Sequence, residues 1–278
     1  MPSAMKAVLC VCAAFAPAWA SRALGARRQG SGALGSLVRP IEFKHKLRVC
    51  NAFPYATPLE LMRGKENLTS SGPLAYKECR DFAPQLLEGD RLEFKVGDDT
   101  AGTFAVGELP ANDAVLLLVV QRHDQLSTAV SFESHTFAAG VESPQIAVID
   151  TYKGSARSTA RIADVVRADE HHAAGRDEEL RFDNAVAVSP GAYEVMLAGS
   201  DGEMKANSSF VALNRESYVV LRTGVEAKTP GQQSYPQELI VYPQSPVGAL
   251  HSGVRAAVPP LLPLAAVAAL LGCAFADF

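Results

Sequence analysis

The feature that most constrains the fold is a series of short segments with the residue pattern of β-strands, each followed by a turn signal. Residues 91–96 alternate polar and apolar side chains, which would send Leu92, Phe94 and Val96 to one buried face. Residues 115–120 are apolar throughout, as expected of a strand covered on both faces. Similar patterns occur in four further segments: residues 145–150, 193–197, 217–223 and 238–242. Clusters of Gly, Pro, Asn and Asp separate the segments, so the sequence predicts an all-β fold of the sandwich or barrel type.

The strand pattern occurs twice along the chain. Three segments of the first half match three of the second: residues 47–51 with 146–150, 89–96 with 190–197, and 113–118 with 216–221. The offset between matched residues grows from 99 to 101 to 103, as small loop insertions would make it. We therefore predict two immunoglobulin-like β-sandwich domains of about 95 residues in tandem, at residues 40–140 and 144–243.

The N-terminal end has the features of a targeting segment. Residues 1–20 predict a signal peptide, because Lys6 is followed by an apolar run too short to span a bilayer and by the cleavage motif Ala18-Trp19-Ala20. Residues 21–39 are basic and contain no acidic residue. This composition fits a disordered basic linker, or a plastid-type transit segment placed behind the signal peptide.

The C-terminal end is also hydrophobic. Residues 258–278 follow a linker, residues 244–257, and carry no charge before Asp277. They predict either a transmembrane helix or the tail of a glycosylphosphatidylinositol signal, with Ser252 as the attachment residue. Either interpretation gives a membrane-tethered ectodomain at the cell surface or in the secretory pathway, and the transit segment leaves a plastid location as the alternative.

Cysteine usage and charge agree with an ectodomain outside the cytosol. Of the five cysteines, only Cys50 and Cys79 lie between the hydrophobic ends, and they predict one disulfide in an oxidising compartment. Asn67 and Asn207 each begin an N-x-S/T triplet and are predicted glycosylation sites. Six of the 26 basic and one of the 30 acidic residues lie outside residues 40–248, which leaves 20 against 29. This acidic ectodomain excludes nucleic acid as a partner by charge repulsion.

One stretch of the first repeat resembles a known kind of domain. An opening strand leads into Asn51-Ala52-Phe53-Pro54-Tyr55-Ala56, and Leu59-Glu60-Leu61 then precede a Gly-led alternating strand. This order resembles a small β-sandwich domain of unknown function in secreted bacterial surface proteins. The paired repeats are also similar to the two-sandwich periplasmic accessory protein of alginate O-acetylation. Neither family has a catalytic residue to carry over, so the resemblance implies a non-enzymatic surface or scaffold module.

The second repeat contains an insertion, residues 153–179, with a weak candidate metal site. Apolar residues around Ile162 have helical spacing, and His171 and His172 follow beside acidic residues, which are ligands for a divalent transition metal. Adjacent histidines on a helix point about 100° apart and do not chelate well together. A solvated charged loop is therefore the favoured interpretation, and no cofactor is predicted.

These observations predict a non-enzymatic, membrane-tethered protein for binding, adhesion or scaffolding, with a glycan or protein partner. Five aromatic residues are candidates for the core or for a sugar-binding surface: Phe53, Tyr55, Tyr76, Phe82 and Phe94. An accessory subunit of polysaccharide acetylation or export is the alternative. A metal-dependent hydrolase is a weaker one, because it requires His171 or His172 to converge with acidic residues or with His123 or His135.

Overall fold

The computed structural model describes residues 42–165 and 177–245, which form sixteen β-strands. The first half contains β1 (His45–Ala52), β2 (Leu59–Arg63), β3 (Glu66–Asn67), β4 (Cys79–Phe82), β5 (Arg91–Val96), β6 (Asp99–Ala105), β7 (Ala114–Arg122) and β8 (Val130–Ala138). The second half contains β9 (Gln145–Asp150), β10 (Ser158–Asp164), β11 (Asp177–Leu180), β12 (Asn184–Ala187), β13 (Gly191–Gly199), β14 (Met204–Ala212), β15 (Ser217–Val225) and β16 (Tyr235–Tyr242). Within these ranges there is no helix, and so none that could cross a membrane. The predicted all-β fold is confirmed.

The strands form four sheets of four strands each, and the two halves have the same topology. Sheet A has the order β4-β1-β7-β8 and sheet B the order β3-β2-β5-β6; sheet C has the order β12-β9-β15-β16 and sheet D the order β11-β10-β13-β14. The central pairs β1–β7 and β9–β15 are parallel, and all other neighbours in these sheets are antiparallel. Sheets A and B form sandwich 1, and sheets C and D form sandwich 2.

Each sandwich has its own apolar core between its two sheets. In sandwich 1 the alternating residues Leu92 and Phe94 of β5 pack against Val49 of β1, as the period-two pattern predicts. In sandwich 2 the corresponding core contains Val195 of β13 and Tyr218 of β15. The duplicated pattern therefore builds two separate cores with the same strand arrangement.

The register of the parallel pairs corrects one of the three repeat matches. Val49 pairs with Leu118 in sheet A, and Val148 pairs with Val220 in sheet C. Leu118 and Val220 both face the core of their own sandwich, so they are equivalent and their offset is 102. The sequence match with an offset of 103 is wrong by one residue, because such a slip exchanges the two faces of a strand.

Sheets A and C also pack against each other, through the faces that point away from their own cores. This third apolar cluster contains the following buried residues: Cys50, Ala52, Cys79, Leu117, Val119, Phe137, Ala147, Ile149, Val219, Leu221 and Ile240. Both sheets are therefore covered on both sides, which explains the uninterrupted apolar run of residues 115–120. The disulfide between Cys50 and Cys79 is present, and it joins β1 to β4 inside this interface.

The two sandwiches face each other as the two halves of a symmetric dimer would. At one edge β4 and its preceding turn lie beside β16, where Lys77 Nζ is 3.0 Å from Glu238 Oε1. At the opposite edge, His135 of β8 and Asn184 of β12 line the same cleft. In the centre, β1 contacts β15. β4 thus lies beside β16, β1 beside β15, and β8 beside β12. This is a pseudo-twofold arrangement with its axis along the strands.

The central strands of both sandwiches run in the same direction. His45, Gln145 and Ser217 are the first residues of β1, β9 and β15, and all three line one groove between the sandwiches, here named the lower pole. At the other end, here named the upper pole, the Thr223 hydroxyl donates to the carbonyl of Ala52 at 3.2 Å. The strand β16 is antiparallel to β15, so it runs from the upper pole toward the lower one.

Part of the sequence interpretation lies outside the described residues. This applies to the signal peptide, the basic linker, His171, His172, Ser252 and the hydrophobic segment at residues 258–278. The start of the insertion is described, and the helical interpretation around Ile162 is wrong. Ile162 lies in β10, where it and Ala160 point into the core of sandwich 2 with the period of a strand.

Candidate binding cleft at the upper pole

The described residues contain no group of three His, Cys, Asp or Glu side chains that is placed to hold a metal ion. His123 and Ser127 both contact Asp124, at 3.1 Å each, so the hydroxyl faces the carboxylate and not the imidazole. A serine nucleophile is activated by an imidazole that contacts its hydroxyl, and these three side chains do not have that arrangement. His135 packs edge-on against Phe137, and burial lowers its pKa.

A cleft of about 760 Å³ opens between the ends of sheets C and D at the upper pole. It is built from the ends of several strands and from the loop that follows β9. The lining contains two aromatic side chains, four serine or threonine hydroxyls and three charged groups: Tyr152 and Phe182; Ser155, Ser158, Thr159 and Ser200; Asp150, Arg157 and Arg222.

Arg222 forms the floor of the cleft, and its side chain is held on several sides. It is only 4% exposed. Nη1 donates to Asp150 Oδ2 at 2.7 Å, Nη2 donates to the carbonyl of Ala156 at 2.6 Å, and Nε donates to Gln237 Oε1 at 3.0 Å. A buried guanidinium with this many charge-assisted hydrogen bonds has little freedom to move. It therefore forms a fixed support for the groups stacked on it.

Sandwich 1 shows that this charge pair is not needed for the fold. Asp150 and Arg222 are register partners in sheet C, and the equivalent partners in sheet A are Asn51 and Val120. Val120 is a buried apolar residue of the core. Because a buried ion pair seldom stabilises a fold more than apolar residues of similar size, we interpret the pair in sandwich 2 as part of a site.

The ring of Tyr152 lies on the Arg222 guanidinium. The distance from Arg222 Cζ to the ring centroid is 4.5 Å, within the range of a cation–π contact. Burial is the main effect that raises the pKa of the Tyr152 hydroxyl, so this group stays a neutral donor and acceptor at physiological pH. One face of the cleft is therefore a partly exposed aromatic ring with a polar edge.

The loop that carries Tyr152 continues the parallel ladder of sheet C. Thr151 donates to the carbonyl of Arg222 through both its backbone N–H and its hydroxyl, at 2.8 and 2.7 Å. Lys153 N–H donates to the carbonyl of Gly224 at 3.1 Å. Further on, Ser155 donates through its N–H and hydroxyl to Glu226, and these bonds lower the pKa of that carboxylate. The loop is thus held before any ligand arrives.

Gly224, whose carbonyl accepts from Lys153, is required for this arrangement. Its φ is +130°, and a Cβ there would lie 2.3 Å from the carbonyl oxygen of Pro236. We expect Gly224→Ala to lower the free energy of unfolding by about 2–3 kcal/mol in urea denaturation. Gly231→Ala is the control, because Gly231 has a φ of +86° but open space around a Cβ. It should cost about 1 kcal/mol, and equal losses for the two variants would contradict the predicted clash.

The lining suits a ligand that has both apolar faces and many hydroxyl groups. Aromatic rings pack against apolar ring faces, whereas carboxylate, guanidinium and hydroxyl groups pair with hydroxyls around a ring edge. Sugars combine these two features in each unit. A mostly preformed cleft with a few fixed polar groups is a typical small-molecule site.

The aromatic residues predicted from sequence lie in sandwich 1, outside this cleft. Phe53 and Phe94 are buried in the core of sandwich 1, while Tyr55 is 39% exposed at the upper pole. Tyr152 and Arg222 were not predicted from the sequence. With the repeat offset of 99 for the opening strand, Tyr152 is the residue equivalent to Phe53. This equivalence is the sequence feature from which Tyr152 could have been found.

The two glycosylation candidates lie on the outer sheets B and D, in β3 and β14, and so away from the cleft. Asn67 Oδ1 accepts hydrogen bonds of 2.8 Å from the N–H and the hydroxyl of Thr69. These bonds fix the orientation of the Asn67 side-chain amide. Asn207 is exposed and donates to Glu194 Oε1 at 2.7 Å. Modification of either residue stays a prediction.

No family model matches the sequence, and no curated protein matches it. Among solved structures, the chain is similar to a carbohydrate-binding module of family CBM26, CBMbc of Eubacterium rectale Amy13K in complex with maltoheptaose. The identity is 9%, the match covers 72% of this chain and 98% of that one, and the TM-score is 0.23. A likeness this distant carries no argument about the ligand of this chain.

Proposed function

We propose that this protein is a non-enzymatic, membrane-tethered binding protein that recognises carbohydrate through the Tyr152 cleft of sandwich 2. The observation that carries the proposal is the stacked pair of Tyr152 and Arg222, which stands where sandwich 1 has ordinary core residues. The hydroxyl-rich lining supports a sugar as the ligand.

The position of the cleft supports a role for a tethered protein. The cleft lies at the upper pole, whereas β16 runs toward the lower pole and the residues after Tyr242 start in the lower half of the molecule. The chain that leads to the proposed anchor therefore leaves sandwich 2 from the half of the molecule opposite the cleft.

Removal of the Tyr152 ring is the direct test. We expect Tyr152→Ala to weaken binding to an immobilised oligosaccharide by about 5- to 150-fold, if the sugar face gains about the 1–3 kcal/mol that a base gains by stacking on an aromatic side chain. Tyr152→Phe keeps the ring and should bind within about threefold of the wild type. The probes are hexamers of α-1,4-glucose, β-1,4-glucose, N-acetylglucosamine and mannuronate, screened on the purified ectodomain by surface plasmon resonance.

A second variant separates binding from folding. Asp150→Asn combined with Arg222→Val places the residues of sandwich 1 at the same register positions of sandwich 2. This double variant should still fold cooperatively, with a loss of about 2–3 kcal/mol, because valine is smaller than arginine and the carbonyl of Ala156 loses a hydrogen-bond partner. It should lose binding, because Tyr152 loses its support. Binding that is unchanged in both this variant and Tyr152→Ala would refute the proposed site.

A further inference from the structure

The end of sandwich 1 at the upper pole also presents a tyrosine. The upper ends of the two sandwiches, with the clefts they contain, are here named their mouths. Asn51 and Asp150 are equivalent by their sheet registers, so Phe53 is equivalent to Tyr152, and Tyr55 to Gly154. Tyr55 is 39% exposed and lies against the buried ring of Phe53, with 5.6 Å between ring centroids.

The two mouths place a tyrosine ring at the same point of the loop by different means. A Cβ at Gly154 would meet the ring of Tyr152 at 2.3–2.5 Å, so that ring occupies the space above position 154. Position 154 is the equivalent of Tyr55 in sandwich 1. In one mouth the ring is supported by the guanidinium of Arg222, and in the other by the ring of Phe53.

The surroundings of Tyr55 have the same chemistry as the first cleft, without its positive charge. A cleft of about 450 Å³ lies beside the Tyr55 ring. Besides the Tyr55 hydroxyl, its polar side chains are three threonines and one aspartate, Thr57, Thr100, Thr128 and Asp99, and no basic residue is among its lining residues. An aromatic face next to hydroxyl and carboxylate acceptors suits an uncharged sugar unit, whose hydroxyls donate to these groups.

The packing of the two sandwiches turns both mouths toward the upper pole. The pseudo-twofold axis runs along the strands, so it relates the two sandwiches without reversing their ends. The interface between sheets A and C is a continuous apolar core, which keeps the two mouths at a constant separation.

From this geometry we infer that Tyr55 marks a second carbohydrate site and that the protein binds a glycan polymer, or a glycan-coated surface, through both sites at once. This inference rests on the proposed function of the Tyr152 cleft. Two rigidly held weak sites gain affinity for a repeated ligand, because binding at the first raises the effective concentration at the second.

The test compares a short oligosaccharide with a polymer. The probe is the hexasaccharide bound best in the screen above, used free in isothermal titration calorimetry and as its parent polysaccharide coated on a sensor surface. We expect two hexasaccharides per chain for the wild type, and one for Tyr55→Ala and for Tyr152→Ala. On the polymer surface each single variant should lose at least about 100-fold in apparent affinity, as loss of avidity predicts. Tyr55→Phe is the matched control and should keep both sites.

The outcomes distinguish the inference from the proposed function. One hexasaccharide per wild-type chain, with Tyr55→Ala unchanged on the polymer, would overturn the second site and leave the Tyr152 cleft standing. A single site lost in Tyr55→Ala but kept in Tyr152→Ala would assign sugar binding to sandwich 1 alone and overturn both. Binding of no probe by the wild type at millimolar concentration would reject the proposed function itself.

Discussion

Replacement of Arg48 by alanine is expected to lower the free energy of unfolding by about 3–4 kcal/mol, measured by urea denaturation. Arg48 is 1% exposed at the interface between the sandwiches. Its Nε and Nη2 donate to the two carboxylate oxygens of Asp81 at 2.8 and 3.0 Å, and Nη1 donates to the carbonyl of Ser217 in sandwich 2. Its guanidinium also lies 5.0 Å from the ring of Tyr242. The alanine variant leaves the Asp81 carboxylate and the Ser217 carbonyl without this partner and creates a cavity between the sheets.

Lys46 provides the matched control for Arg48. Its ammonium is 3.6 Å from the same carboxylate of Asp81, but its side chain is 49% exposed. Lys46→Ala should cost less than about 0.5 kcal/mol, as is typical of exposed ion pairs. If Arg48→Ala cost no more than Lys46→Ala, the interface would not depend on the buried guanidinium, and its packing would have to be explained by the apolar cluster alone.

Removal of the disulfide is expected to lower the free energy of unfolding by a similar amount, because the unfolded chain gains conformational freedom. The bond between Cys50 and Cys79 has a sequence separation of 29. For a closed loop of that length the chain-entropy account predicts a loss of about 3–4 kcal/mol in a Cys50→Ala and Cys79→Ala double variant. Because the released chain is less compact when unfolded, the urea m-value should rise at the same time.

The reduced wild type serves as the control for this variant. Both should have the same unfolding midpoint once dithiothreitol has reduced the wild type in urea and the chain has refolded. The native bond should resist dithiothreitol without urea, since Cys50 is fully buried under sheet C. A loss below about 1 kcal/mol, outside the range of native disulfides in small domains, would show that the bond does not restrain the unfolded chain.

Much of the fold could be predicted from local pattern alone. Residues 91–96 and 145–150 coincide with β5 and β9 from end to end, because alternating or continuous apolar runs bounded by turn residues have few other solutions. The all-apolar run at residues 115–120 indicated cover on both faces, although the pattern does not say which sheet supplies the second cover. That cover proved to be the other repeat.

The site could not be predicted in the same way, because it depends on distant residues. Arg222 looks like an interruption in an apolar strand until Asp150, Gln237 and the loop carbonyl of Ala156 are placed around it. Arg48 likewise acquires its role only through Ser217 in the other sandwich. The error of one residue in the third repeat match had the same origin: β7 and β15 are apolar on both faces, so their composition does not reveal which face belongs to which core.

The direction of β16 has a mechanical consequence. A ligand held at the proposed cleft would pull on the upper ends of β9 and β15, whereas the proposed anchor in the C-terminal segment would pull on the lower end of β16. The two forces act in opposite directions along neighbouring strands, and the hydrogen bonds between antiparallel strands are perpendicular to the strands. Tension would therefore load the whole β15–β16 ladder in shear, with all its bonds sharing the force, instead of opening them one after another from an end. A ladder loaded in this way resists a pull along the strands better than one across them, as the proposed function would require.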